Sequence, residues 1–199
     1  MKRLNDEQID TVGNIESSAQ YLLEMINEIL DIAKIEAGKM EAFIETVNVS
    51  SILQTSYNML HPLASDKNLE FEFIYDDIIE TQTDPKMFQQ IVINLLSNAI
   101  KFTKEGLVTL KLFNDDEKIY VSVKDTGVGI IQEDIDNLFT DFTQVENVMQ
   151  KSHKGTGLGL SLSKKMAKIL GGDITLHSDG LGKGTEVVFF IRDIKSSDS

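Results

Sequence analysis

Three short segments carry residue types at spacings that suit phosphate and metal chemistry. In Asn94-Leu95-Leu96-Ser97-Asn98-Ala99-Ile100-Lys101-Phe102-Thr103, the residues Asn94, Asn98 and Lys101 stand at i, i+4 and i+7. That spacing puts them on one face of a helix. Two amide oxygens and an ammonium on one face suit a hard cation with phosphate beside it. The same spacing also serves a polar helix face in contact with water. In Asp125-Thr126-Gly127-Val128-Gly129-Ile130, a carboxylate closes a predicted strand and two glycines follow, spaced by one residue. Such a turn lets a flat ligand approach the backbone, and the carboxylate can accept a hydrogen bond from an exocyclic amine. An ordinary Asp-Gly turn is written in the same letters. The third segment, Gly155-Thr156-Gly157-Leu158-Gly159-Leu160, precedes a predicted helix. Free amides at a helix start bind phosphate, although a flexible linker has this composition too. No strand ends immediately before it, so it is not a dinucleotide fingerprint. The Lys-Ser/Thr pair of a Walker A loop is also missing.

The elements that must hold these segments follow from periodicity and punctuation. Val49–Ser65 reads as a helix that stops near His61-Pro62 or just after. Leu69–Tyr75 alternates at period two and reads as a strand. Asp84 as N-cap and Pro85 at the first position open a helix that runs to about Phe102. Leu107–Asn114 and Lys118–Lys124 read as two strands of a hairpin, and Gln132–Leu138 as a short helix. Thr140–Thr156 reads as a long mobile loop. Leu158–Leu170 is a helix closed by Gly171-Gly172. Asp173–Ser178 and Gly184–Ile194 are final strands about a glycine-rich turn. Ahead of all this, residues 6 to 43 lack proline and carry an apolar seam of Val12, Ile15, Ala19, Leu22, Ile26, Ile29 and Ala33, spaced 3, 4, 3, 4, 3, 4. They predict one helix of roughly 38 residues, about 57 Å long, that packs on a partner helix in another chain or in a part of the protein outside this sequence.

Composition bounds the class. The chain has 199 residues, 41% of them hydrophobic, enough for a core. It has no cysteine, which excludes disulfides and thiolate chemistry. A net charge of −13 argues against nucleic acid or an anionic membrane as a salt-driven partner. No apolar run reaches the length of a membrane span, and the start has no apolar signal region. The expectation is a cytoplasmic chain, or the cytoplasmic part of a membrane-anchored sensor.

Together and in this order, the three segments resemble the N, G1 and G2 boxes of the sensor histidine kinase catalytic domain. That domain belongs to the Bergerat-fold superfamily of the DNA gyrase ATPase subunit, the 90-kDa heat-shock chaperone and the mismatch-repair ATPases. Leu138-Phe139-Thr140-Asp141-Phe142-Thr143-Gln144 looks like the F box, and Gly182-Lys183-Gly184-Thr185 like the last turn of the same domain. Ile29–Lys39 looks like the end of the second dimerisation helix. The resemblance implies an α+β fold: a two-layer α/β sandwich, its sheet mixed and mostly antiparallel, with three helices on one face and a long N-terminal helix before it. It implies a second dimerisation helix over residues 1–44, an ATP-binding catalytic domain over 45–195, and a polar tail over 196–199.

The resemblance also implies roles. Asn98 would ligate Mg2+, with Asn94 beside it, and Lys101 would contact phosphate. Asp125 would accept from the adenine amino group, with Gly127 and Gly129 letting the base sit close. Ile130, Leu160 and Phe190 would form apolar walls. Gly155, Gly157, Leu158, Gly159 and Leu160 would line the phosphates, and Thr185 would sit near adenine. Residues 143–156 would be the ATP lid, where Lys151, His153 and Lys154 could approach the phosphates. The lid usually has glycine at the position of Lys154, so its closure would differ.

In the superfamily members that hydrolyse ATP, a glutamate one turn before the metal-binding asparagine activates water. Here Asn94 holds that position, and an amide is no general base. That favours a kinase, whose nucleophile is a side chain elsewhere, and whose catalysis rests on positioning and charge neutralisation. The acceptor motif, His-Glu-x-x-x-Pro, is absent. His61, His153 and His177 do not match it. The sequence is therefore expected to begin just after the first dimerisation helix, as a truncated piece or a degraded copy, and not to phosphorylate itself. The implied partners are an acceptor-histidine helix, a response-regulator receiver domain and a second copy bound through the N-terminal helix. The competing readings are a non-catalytic nucleotide-binding module and a same-superfamily ATPase.

Overall fold

The computed structural model describes residues 5–115, 117–141 and 156–193. The chain divides into two compact units, Met1–Met40 and Glu41–Ser199. The first is α1 (Asp6–Glu36) with its closing turn. Asn5 and Gln8 form a capping box at its start, with Asn5 Oδ1 accepting from the Gln8 amide at 2.8 Å and Gln8 Oε1 from the Asn5 amide at 3.0 Å. The helix holds the whole apolar seam but ends seven residues short of the proline-free stretch, 6 to 43, that predicts it. Gly38 takes the left-handed conformation, its amide bonds the Ile35 carbonyl, and the Lys39 amide bonds that of Lys34. This Schellman closure ends the helix although no proline follows until Pro62. Along α1 the seam residues Val12, Ile15, Leu22, Ile26 and Ile29 are exposed.

In the second unit, β1 (Glu45–Asn48) and β3 (Glu80–Thr83) pair antiparallel as a two-stranded ribbon. Neither is predicted from the sequence, because four mixed residues offer no clear alternation. Helix α2 (Val49–Asp66) continues past Pro62. Proline removes one backbone bond, yet Val49, Leu53 and Ala64 on the same helix are buried, and this packing carries the helix onward. Helix α3 (Pro85–Phe102) starts as expected at Asp84, whose Oδ1 accepts from the Lys86 and Met87 amides. The other carboxylate oxygen accepts from the Phe43 amide at 2.8 Å.

The main sheet runs in the order β2-β4-β5-β7-β6. Its strands are β2 (Glu70–Tyr75), β4 (Leu107–Asn114), β5 (Lys118–Asp125), β6 (Asp173–His177) and β7 (Thr185–Arg192). β2 and β4 are parallel and every other pair is antiparallel, so the sheet is mixed and mostly antiparallel as expected. Helices α2, α3 and α5 (Gly159–Ile169) pack on one face. Between β5 and α5 lie α4 (Gln132–Ile135) and a 3-10 turn, Asp136–Phe139. Strand parity sends Val121, Val123, Phe189 and Ile191 toward the helices, where Phe88 meets Phe189 at 5.2 Å between ring centroids. Phe190 therefore faces the other side, 6.0 Å from the Tyr120 ring and under the Lys118 ammonium. That corrects its expected place as a wall beside Asp125.

Candidate functional site

Two neighbouring helices and the end of one central strand bring the three segments together. On α3, Asn94 and Asn98 are half-buried one turn apart, and the Asn98 amide nitrogen donates to Asn94 Oδ1 at 3.3 Å. Asn94 in turn donates to Ser163 Oγ on α5 at 2.8 Å. The helices approach closely here because Gly159 has no side chain. A Cβ at Gly159 would stand 2.5 Å from Asn94 Oδ1. Lys101, two turns on from Asn94, is half-buried. Burial first, then the nearby Lys67 ammonium, hold its pKa below the usual lysine range. Lys67 itself closes α3, donating to the carbonyls of Ile100 at 2.8 Å and Lys101 at 3.0 Å.

Asp125 ends β5 beside Thr185, the first residue of β7. Only 8% of it is exposed. Burial pushes its carboxyl up to about 6, against the opposing pull of the Gly127 and Thr185 amides, which donate to it; the Gly127 bond is 2.8 Å long. The following loop is held by backbone groups. The amides of Gly182 and Gly184 donate to the carbonyls of Val128 and Gly127. Ser178 Oγ accepts from the Ile130 amide at 3.0 Å and donates to the Gly184 carbonyl at 2.7 Å. Gly129 sits at φ +65°, where a side chain would collide with the Gly180 carbonyl. The result is a tight double turn clasped by the 178–184 segment.

At the start of α5, the Leu158 amide donates to Thr156 Oγ1 at 3.2 Å, and the buried Ser161 hydroxyl bonds the Leu158 carbonyl. Among the described residues no side chain caps this helix start, so its first-turn amides are free to receive an anion. Gly157 and Leu160 flank it, half-buried. Lys165 bonds Asp141 at 2.6 Å, and Lys164 stands over the Phe139 ring at 4.0 Å.

The structure thus brings Asn94, Asn98, Gly159, Leu158 and Ser163 together across α3 and α5. It groups Asp125, Gly127, Gly129, Ile130 and Thr185 at the strand end. Lys151, His153, Lys154, Gly155 and all of the 143–156 lid except Thr156 lie outside the described residues. Ser163, Ser178 and Thr103 were not foreseen. Thr103 is fully buried under Gly127 and bonds the Ala99 carbonyl. One signal for Ser163 was available: it stands at i+4 from Gly159, on the same helical face.

The residues fit a divalent cation held jointly with a phosphate ligand. Among the described residues no group of three or more His, Asp or Glu could hold a metal unaided. With the Asn98 nitrogen committed to Asn94, its carbonyl oxygen is the atom left to offer. Mg2+ keeps several waters and binds largely through substrate phosphates, so one protein oxygen is enough to join such a shell.

A mixed sheet with three helices on one face defines a two-layer α/β sandwich. Residues 83–194 match the family model of histidine kinase-, DNA gyrase B-, and HSP90-like ATPases, and the chain belongs to that family. It is 40% identical over 190 residues to the sensor protein GacS of Pseudomonas syringae pv. syringae, covering 92% of this chain and 21% of that protein. It is 34% identical over 192 residues to the circadian input-output histidine kinase CikA of Synechococcus elongatus, covering 94% and 25%. Full-length ShkA in complex with AMPPNP is similar with a TM-score of 0.84 at 26% identity, over 98% of this chain and 41% of that one. The catalytic domain of the histidine kinase ThkA gives a TM-score of 0.67 at 25% identity, over 76% and 98%. The chain therefore spans about a fifth of the length of GacS. Among the described residues no helix is long and apolar enough to cross a membrane.

Proposed function

We propose that this chain is the ATP-binding catalytic part of a sensor histidine kinase, passing the γ-phosphoryl group of ATP to a histidine on a dimerisation helix outside this sequence. The observation that carries the reading is Asn94. It occupies the place from which a superfamily ATPase would activate water, and both ends of its amide are already hydrogen-bonded, to Asn98 and Ser163. No general base stands there, so a side-chain nucleophile brought by a partner helix fits better than water.

In this reading Asp125 accepts from the adenine amino group, and the Gly127–Gly129 turn and Thr185 border the base. Lys101 and the amides of Gly157, Gly159 and Leu160 hold the phosphates, with Leu158, whose own amide donates to Thr156, between them. Lys151 and Gly155 belong to the lid. Asn98 offers its oxygen to Mg2+, which when bound neutralises phosphate charge. Residues 1–44 serve as the second dimerisation helix and 45–195 as the catalytic domain. The exposed seam of α1 pairs with a second copy, and a receiver domain takes the phosphoryl group onward. The AMPPNP complex of the similar ShkA supports nucleotide binding.

The test is calorimetric titration with ATP and Mg2+, followed by addition of a separate acceptor-helix domain and assay of acid-labile phosphate. Asp125→Ala is expected to abolish binding, and Asn98→Ala to weaken it and remove its Mg2+ dependence. A folded wild-type chain that binds no ATP would sink the proposal. Phosphohistidine on this chain alone would overturn its acceptor-in-trans part.

A further inference from the structure

We infer that Ser163 is a positioning residue for the metal-binding amide: it holds Asn94, and Asn94 holds Asn98. The inference rests on the reading of Asn98 as the Mg2+ ligand.

An asparagine amide has a donor end and an acceptor end, and a half-turn about its last bond exchanges them. Asn98 is useful to a cation only with its oxygen outward. Its nitrogen is drawn inward by Asn94 Oδ1 at 3.3 Å. Asn94 presents that oxygen while its own nitrogen donates to Ser163 Oγ at 2.8 Å, so Ser163 anchors the far end of the Asn94 amide. With the Asn94 amide reversed, two nitrogens would face each other and one donor would lose its partner. Ser163 is 3% exposed, so water has little access to replace its hydroxyl. Gly159, one turn before it on α5, leaves the space that Asn94 fills. The relay therefore links the start of α5, where the anion-binding amides lie, to the amide on α3 that faces the cation. The two ends of the Asn94–Ser163 bond are 69 residues apart in sequence.

The test uses the full chain and AMPPNP, titrated with excess Mg2+ and again with EDTA. The readout is the ratio of the two dissociation constants. Ser163→Ala should lower that ratio roughly fivefold while leaving the EDTA value within about twofold of wild type. Ser163→Thr keeps the hydroxyl and should restore the ratio. Ser163→Cys fills the volume without a good acceptor and should not, which also covers a failure of the alanine variant to fold. A wild-type ratio of one overturns the metal reading and this inference with it. A wild-type ratio well above one that survives in Ser163→Ala, or that cysteine restores as well as threonine, overturns the inference alone.

Discussion

Replacing Asp125 with asparagine should make the nucleotide-free protein more stable at neutral pH while abolishing ATP binding. The folded chain holds this carboxyl in a site with 8% exposure, where burial raises its pKa from 3.8 to about 6. In the unfolded chain water restores the ordinary value. Between those two values the folded chain keeps a proton that the unfolded chain has released. Its contribution to stability is thus full below 3.8 and is lost as pH rises through about 6. The gap corresponds to about 3 kcal/mol, at about 1.4 kcal/mol for each pH unit. Asparagine has no proton to lose. The stability difference, Asp125→Asn minus wild type, should therefore grow by about 3 kcal/mol from about pH 3 to about pH 8, measured by urea unfolding without nucleotide. Hydrogen bonds that the amide makes or fails to make add an offset that does not vary with pH, so the slope is the quantity to read. A difference flat to within about 0.5 kcal/mol across that range would refute the burial argument.

Other outcomes follow from the same geometry. ATP affinity should hold steady above neutrality and fall below about pH 6, where Asp125 becomes protonated and loses an acceptor; a fluorescent nucleotide titrated across pH checks this. Gly129→Ala should cost about 2 kcal/mol or more on urea unfolding, because its φ of +65° and the Gly180 carbonyl exclude a side chain. Gly13→Ala, on the open surface of α1, should instead gain about 1 kcal/mol of helix stability, read as a higher thermal midpoint by circular dichroism. Asp84→Ala leaves the amides of Phe43, Lys86 and Met87 without their acceptor and should cost about 2 kcal/mol in chemical denaturation. Light scattering on dilution should show a dimer that Leu22→Glu with Ile26→Glu converts to monomer; a wild-type monomer at high concentration contradicts the seam's role.

What could be read in the sequence was whatever has a local cause. Asp84-Pro85 fixes the start of α3 by capping, and the alternating Glu70–Tyr75 run fixes β2. The glycine spacing after Asp125 marks the turn that the structure clasps. Local pattern misled where a nearby signal outweighed it: Gly38 ended α1 although no proline lies before residue 43, and Pro62 did not stop α2 because Ala64 beyond it is buried. What stayed hidden depends on distant partners. The β1–β3 ribbon joins residues about 35 apart with no hydrophobic alternation to announce it. Phe190 was misplaced because the strand's parity shows only once Phe189 is seen against Phe88. Ser163 looks like any helical serine until Asn94 is found across the groove.

Strand β7 comes late in the chain yet lies inside the sheet, between β5 and β6. During synthesis, then, a ribosome that has reached Gly172 has released α3, β4, β5 and the first-made parts of the site, but the apolar row Ile119, Val121 and Val123 still borders an open edge. Closure must wait until Thr185–Arg192 has left the exit tunnel. Until that moment Asp125 has no Thr185 amide beside it and the Gly127 turn has no clasp. The surroundings of Asp125 therefore close late, and a nascent chain stalled before Thr185 presents an unpaired sheet edge to chaperones and to its neighbours on the same message.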